Sequence, residues 1–288
     1  MIAVLNHIVD YVEGHLTDDI DIAVLARAHG TTEYHLRRMF SSLAGMPLSE
    51  YIRRRRMTMA ATDLVGEDDF LAIAIRYGYG STAAFTRAFR AVHGSSPADV
   101  RHHGGPLRSQ PHLRFRLTVE GNSPMDTRTL ERPAFALVGY AARVPLIRHG
   151  ANPHIQAHIA GLPIAEHARL KALSNAEPAG ILQVSDDVDA DYAEGSELTY
   201  LHGVAVREDT LVPDDLDDLH LQAGTWAVFR SAGPHPAALQ ETWAATATEW
   251  FPSNPWRLRA GPSMVAVLDR SPDFTTATCE LWLPVERG

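Results

Sequence analysis

The sequence has only one cysteine, Cys279, which excludes an internal disulfide framework and any cysteine-based zinc module. It also lacks an apolar run near the roughly 18–20 residues that cross a bilayer, so no membrane helix is expected. The opening MIAVLNHIVDYVEG has no basic leader and carries Asp10 and Glu13 early, the pattern of a helix rather than a secretion signal. A reducing, cytoplasmic setting follows as the expectation, with no membrane partner. Neither a G-x-S-x-G elbow nor a phosphate-cradling glycine loop occurs. His154 and His158 stand at i, i+4 without a third metal ligand at useful spacing. Asp187, Asp189 and Asp191 imitate an EF-hand start, but Tyr192 replaces its glycine and Leu198 its bidentate glutamate. No metal and no cofactor is expected.

What is present suffices for two ordinary domains. The chain has 288 residues, of which 45% are hydrophobic and 21% charged, so it can bury real cores. Its net charge of −9 is unevenly placed. Residues 1–108 balance 12 arginines against 12 acids, and the remainder carries all of the excess. Such asymmetry suits an acidic sensor joined to a nucleic-acid-binding domain, and equally suits a solvated basic face.

Up to His103 the pattern is helical: Ile2, Leu5, Val9 and Val12 recur at helical spacing, as do Leu36, Met39, Phe40 and Leu43. This part contains a repeat. Residues 25–47 align with 73–97, pairing Gly30 with Gly78, Leu36 with Phe85, Arg38 with Arg87, Phe40 with Phe89, Gly45 with Gly94 and Pro47 with Pro97. The reading is a short helix closed by glycine, then a helix capped by Thr32 or Ser81, twice, with a helix over 47–65 between the copies. A helical hairpin repeat without DNA binding would show the same periodicity.

The outward residues favour DNA. The second helix of the first copy presents Glu33, Tyr34, Arg37, Arg38 and Ser41, and that of the second presents Thr82, Ala83, Thr86, Arg87 and Arg90. Arginine forks onto guanine, while Thr and Ala methyls suit thymine. Two such helices in one chain can enter successive major grooves, so a monomer or a homodimer would serve. The run Arg53–Arg56 reads as phosphate contact or as solvated surface.

With LARAHGTTEYHLRRMF, GMPLSEYIRRRRMTMAA and IAIRYGYGSTAAFTRAFRAVHGSSPADVR in view, residues 1–103 resemble the DNA-binding domain of the AraC/XylS family. That resemblance implies an all-α double helix-turn-helix contacting duplex promoter DNA through Tyr34, Arg37, Arg38, Arg53, Ser81, Thr82, Ala83, Thr86 and Arg87, with RNA polymerase as a further partner.

The stretch HHGGPLRSQP, 102–111, is rich in breakers and reads as a linker unable to act as a rod; 104–122 is assigned as linker and leading strand. Beyond it the period changes to two. LRFRLTVE, AFALVGYAAR, GILQVS, ELTYLHGVAV, TWAVFR, SMVAVLD and TCELWLPV read as strands, with helices over about 151–173 and 236–250, which makes 123–288 an α+β domain. All five tryptophans fall between Trp226 and Trp282. In the last strand Thr278, Glu280 and Trp282 share a face, either an exposed charge or an aromatic-walled pocket with one acid, suited to a lipophilic cation.

The segments MDTRTLERPAFALVGY, LQAGTWAVFRSAGPHPAALQETWAATATEWFP and GPSMVAVLDRSPDFTTATCELWLPV resemble the GyrI-like effector-binding domain. The resemblance implies a duplicated β-α-β-β sheet with a cleft for a small, aromatic or lipophilic effector, walled here by Tyr200, Trp226, Phe229, Glu280 and Trp282. Where the family commonly carries Glu-hydrophobic-Tyr, this chain has Val265-Ala266-Val267, leaving Glu280 as the nearest acid. Trp226 and Phe229 have opposite parity on one strand, so a regular strand cannot turn both to the same cleft. The expectation is a ligand-responsive transcription regulator, not an enzyme. The alternatives are a domain that slowly hydrolyses a cytotoxic effector through Glu280, or one that sequesters it.

Overall fold

The computed structural model describes residues 2–66, 68–105, 107–116, 125–147, 150–189 and 193–288. The chain divides into two compact units, one of Met1–Leu36 and Ala44–Leu117, the other of Arg37–Leu43 and Thr118–Gly288.

The first unit is helical: α1 (Ile2–Gly14), α2 (Ile22–Ala28), α3 (Glu33–Ala44), α4 (Leu48–Asp63), α5 (Phe70–Arg76), α6 (Thr82–His93) and α7 (Pro97–His103). The repeat in sequence is a repeat in geometry. In the first turn Gly30 N donates to Arg27 O and Thr31 N to Ala26 O; in the second Gly78 N donates to Ile75 O and Tyr79 N to Ala74 O, all within 2.8–3.0 Å. Gly30 (φ 66°) and Gly78 (φ 83°) occupy the left-handed conformation that a side chain would strain. Thr32 Oγ1 then accepts from His35 N and Ser81 Oγ from Ala84 N, the expected caps. Leu36 and Phe85, equivalent in the two copies, are both fully buried. Phe85, Phe89, Ile73, Ala74, Met57 and Leu64 close one core around the second motif.

The helical unit continues past residue 103. Residues 107–116 form no regular element, yet they are fastened along α1 and α4. Asn6 bonds Phe115 N and O reciprocally at 2.9 and 3.0 Å, Tyr51 Oη accepts from Leu113 N, and Thr58 Oγ1 accepts from Gln110 N. The expected linker is therefore in large part a strap on the first unit, and Leu113–Arg116 do not form the expected leading strand. Pro106, and Leu117–Glu120 of that strand, lie outside the described residues, as do Asp191 and Tyr192.

The second unit is one antiparallel sheet with helices on one face. It comprises β1 (Thr127–Arg132), β2 (Phe135–Pro145), α8 (Pro153–Ala160), α9 (Ile164–Leu173), β3 (Leu182–Asp186), β4 (Glu197–Arg207), β5 (Asp217–Leu221), β6 (Gly224–Pro234), α10 (Ala237–Ala245), β7 (Trp256–Leu258), β8 (Ser263–Arg270) and β9 (Thr276–Arg287). The helix expected over 151–173 is broken at Gly161–Pro163, and a wide π turn carries α10 on to Trp250. Strands β1, β5 and β7 escaped the alternation reading.

The order β1-β6-β9-β8-β3-β4-β2-β5 contains two β-α-β-β halves, β2-α-β3-β4 and β6-α-β8-β9, joined where β3 meets β8. Each half lends its leading strand to the other's edge: β1 pairs with β6, and β5 with β2. Only Pro133 and Ala134 link β1 to β2, and only Gln222 and Ala223 link β5 to β6. Two residues reach about 11 Å at most, so these far-apart edges come together and the sheet curls almost closed. Gly139 and Gly203, in register on β2 and β4, allow the bend: a Cβ on Gly139 would stand 2.2 Å from His202 O.

That curl explains a core with no helix in it. Phe135, Leu137, Val184, Leu201, Trp226, Val228, Met264 and Trp282 pack together on the inner face. The outer face packs Ala136, Val138, Val204 and Val206 around Leu170 of α9, and sets Phe229 edge-on to Trp250 at 5.0 Å.

Candidate nucleic-acid interface and effector site

The residues expected at DNA fall on two helices and one connector. Tyr34, Arg37 and Arg38 are on α3; Ser81 caps α6, which carries Thr82, Ala83, Thr86 and Arg87. Ala83 and Arg87 are exposed and Thr82 and Thr86 half-buried, while Phe85 and Phe89 anchor the opposite side. A rigid helix thus presents short methyl-bearing side chains beside one long guanidinium, a surface able to read base edges. The hydrophobic period of α6 and its two caps make that surface.

The arginine run divides by what it touches. Arg53 and Arg54 both donate to Glu50, at 2.7 and 2.5 Å, on the exposed side of α4. Arg55 and Arg56 correct both readings of the run, because they are structural cross-links. Arg55 forks onto Glu13 at 2.6–3.0 Å and donates to Gln110 O at 2.6 Å, with its side chain only 12% exposed. Burial would raise the Glu13 carboxyl, but hydrogen bonds from Arg55 and Tyr51 outweigh it and hold the group below its ordinary value. Arg56 donates to Leu16 O and Asp18 O, closing the chain after α1 onto α4.

In the second unit the expected pocket residues separate by face. Trp226, Glu280 and Trp282 lie on the inner face of the curled sheet; Tyr200 and Phe229 lie on the outer face beneath the helices. One cleft therefore cannot be lined by all five, and Tyr200 and Phe229 leave the set. Strand β6 pairs regularly through both Trp226 and Phe229, with no bulge to bring them together. Tyr200 instead meets His158 edge-on, at 5.9 Å, and His202, whose Nε2 is 3.1 Å from His167 Nδ1. Burial and the two neighbouring histidines push His202 down to about 4. His158 Nε2 lies 3.0 Å from the Tyr140 carbonyl.

Glu280 is already answered. Arg128 on β1 forks onto it at 2.7 and 2.8 Å, and Trp282 Nε1 donates at 3.1 Å. The Arg128 hydrogen bonds hold the Glu280 carboxyl below the usual range despite its partial burial. Arg230, in register with Glu280 on β6, adds a second positive charge. A cation would have to displace Arg128, and a carboxylate held low lacks the poise of a general base. Glu280 is thus paired with Arg128 in this structure.

Sequence reasoning missed the arginines of this face: Arg128 and Arg132 on β1, and Arg259 after β7. TRTLER does alternate, with Arg128, Leu130 and Arg132 on one side, but its polar half hid the strand. A cleft of about 440 Å³ opens at the seam between β1 and β2, lined by Arg132, Phe135, Asn175, Glu177 and Arg207 among others.

Residues 125–286 match the GyrI-like small molecule binding domain, and residues 25–103 match a helix-turn-helix domain. Among curated proteins, the chain is 37% identical over 100 residues to the HTH-type transcriptional activator AarP of Providencia stuartii, covering 34% of this chain and 74% of that protein. It is 33% identical over 100 residues to the regulatory protein SoxS of Salmonella typhimurium, covering 34% of this chain and 94% of SoxS. Among solved structures, SAV2435 bound to tetraphenylphosphonium shares 19% identity at a TM-score of 0.41, covering 56% of this chain and 94% of that one. Among the described residues, no helix is long and apolar enough to cross a membrane.

Proposed function

From the premise that the chain belongs to the AraC-type helix-turn-helix transcription regulators and carries a GyrI-like small molecule binding domain, we propose how it works. Both helix-turn-helix motifs read one operator, and an effector held by the curled sheet sets the outcome at the promoter. The observation that carries the DNA half is the bond-for-bond identity of the two turns. Of the helices that follow them, α6 exposes Ala83 and Arg87, whereas Arg38 and Ser41 of α3, expected on the outward face, are buried. One chain with two such helices needs no partner copy to read two groove segments. RNA polymerase is the partner through which a bound regulator of this kind acts.

Arg87 is the side chain on which the assignment is tested. Arg87→Ala is expected to cost about 1–3 kcal/mol at a cognate operator, the loss of one forked base contact. Affinity for unrelated duplex should fall steeply as salt rises, through counterion release. Mobility shifts of the full chain at several salt concentrations measure both. Equal operator affinity for Arg87→Ala and the parent would remove Arg87 from the base-reading set.

A further inference from the structure

At the seam where the sheet curls closed, buried donors outnumber acceptors. Arg132, the last residue of β1, is in register with Gly224, the first of β6. Over Gly224 lies the Arg259 guanidinium: a Cβ built there would be 3.0 Å from Arg259 Nη2. Arg259 is placed by its backbone, whose N–H donates to Pro284 O on β9, and Pro284 is in register with Trp226 on β6. Its Cζ stands 5.9 Å from the centre of the Trp226 ring.

Among the described residues, Arg259 Nε and Nη2, Arg132 Nε and Trp226 Nε1 are buried and meet no acceptor. Every one of these is an N–H donor. Glu177, which borders the same cleft as Arg132, is engaged by Arg132 Nη1 at 3.2 Å. Leaving a buried charge and several N–H groups without acceptors is costly, and a fold seldom tolerates it without use. Nε and Nη2 form the side edge of the guanidinium, whose two parallel N–H bonds match the two oxygens of a carboxylate. The neighbouring cleft is bordered by Arg132 and Phe135.

We infer that Arg259, with Arg132 and Trp226 Nε1, is a carboxylate-binding subsite, so the effector of this chain is an organic acid rather than a lipophilic cation. This rests on the reading of the second unit as an effector domain. The carboxylate lies on the Arg259 fork, receives a further bond from Arg132, and its hydrocarbon part extends toward Phe135 in the cleft.

Isothermal titration of the full chain with four probes tests it: benzoate, its neutral isostere benzamide, inorganic phosphate and benzyltrimethylammonium. Benzoate should bind saturably and benzamide at least tenfold more weakly. Arg259→Gln should weaken benzoate at least tenfold and Arg259→Lys by less, while Arg270→Gln on the far hairpin leaves it unchanged. Without ligand, Arg259→Met should melt at the parent temperature or above, because an unanswered buried charge is gone. Equal binding of benzoate and benzamide, or unchanged benzoate affinity in Arg259→Gln, overturns the subsite. Preference for phosphate overturns the carboxylate assignment. Binding of the ammonium alone overturns the subsite and leaves the effector domain standing; binding of none of the four overturns both.

Discussion

Arg55 in the helical unit and Arg259 in the sheet unit both bury guanidinium nitrogens, and they are treated in opposite ways. Arg55 meets two carboxylate oxygens of Glu13 and the Gln110 carbonyl, joining α1, α4 and the strap after α7. Arg259 keeps two buried N–H groups without an acceptor among the described residues. A buried ion with its partners supplied by the fold locks elements together; one without them makes the fold carry a penalty until something arrives. Arg55 is thus answered by the fold at every turn, whereas Arg259 is not.

Three measurements break or sharpen that contrast. The largest effect is expected at Arg55, since Arg55→Met strands the half-buried Glu13 carboxylate and releases the strap. Loss of a buried partner of this kind costs about 3–5 kcal/mol, and denaturant unfolding followed on the full chain should show it in the transition of the helical unit. A change below about 1 kcal/mol would place Arg55 among the weak surface pairs.

The second concerns the outer face of the sheet. His202 titrates near 4 when folded against an ordinary value of 6.5, so the unfolded chain takes up its proton first. The stability it protects is present above pH 6.5 and is lost as pH falls toward 4, by about 2–3 kcal/mol for a shift of this size. Melting temperatures between pH 7 and 4 should fall more for the parent than for His202→Asn. Parallel pH profiles would show that burial of His202 carries no proton linkage.

The smallest effect is at the helix caps. Ser81→Ala removes the acceptor for Ala84 N and should cost about 1 kcal/mol. Thr32→Ala, at the equivalent place in the first motif, should cost a similar amount by the same denaturant assay. A large disparity would show that the two motifs, alike in bonds, are unlike in energetics.

These residues also mark how far the sequence could be followed. Gly30 and Gly78, Thr32 and Ser81, and the buried Leu36 and Phe85 were legible because turns and caps are settled within a few residues of chain. The Arg53–Arg56 run was not, since the partners of Arg55 lie 42 and 55 residues away and no local pattern names them. Trp226, Glu280 and Trp282 were correctly set on one face by alternation, whereas Tyr200 and Phe229 were grouped with them on composition alone.

The sequence by itself determined that a doubled helix-turn-helix precedes an alternating sheet with helices on one side, because periodicity and glycine chemistry are local. Tertiary structure alone decided that each half of the sheet lends its leading strand to the other, curling the sheet until β1 and β2 meet. That closure turns Trp226 and Trp282 into core, hands Glu280 to Arg128, and sets Arg132 in register with Gly224, over which Arg259 lies. Pairings between strands about 100 to 150 residues apart in the chain follow from burying one shared apolar face. No short window of sequence contains that face.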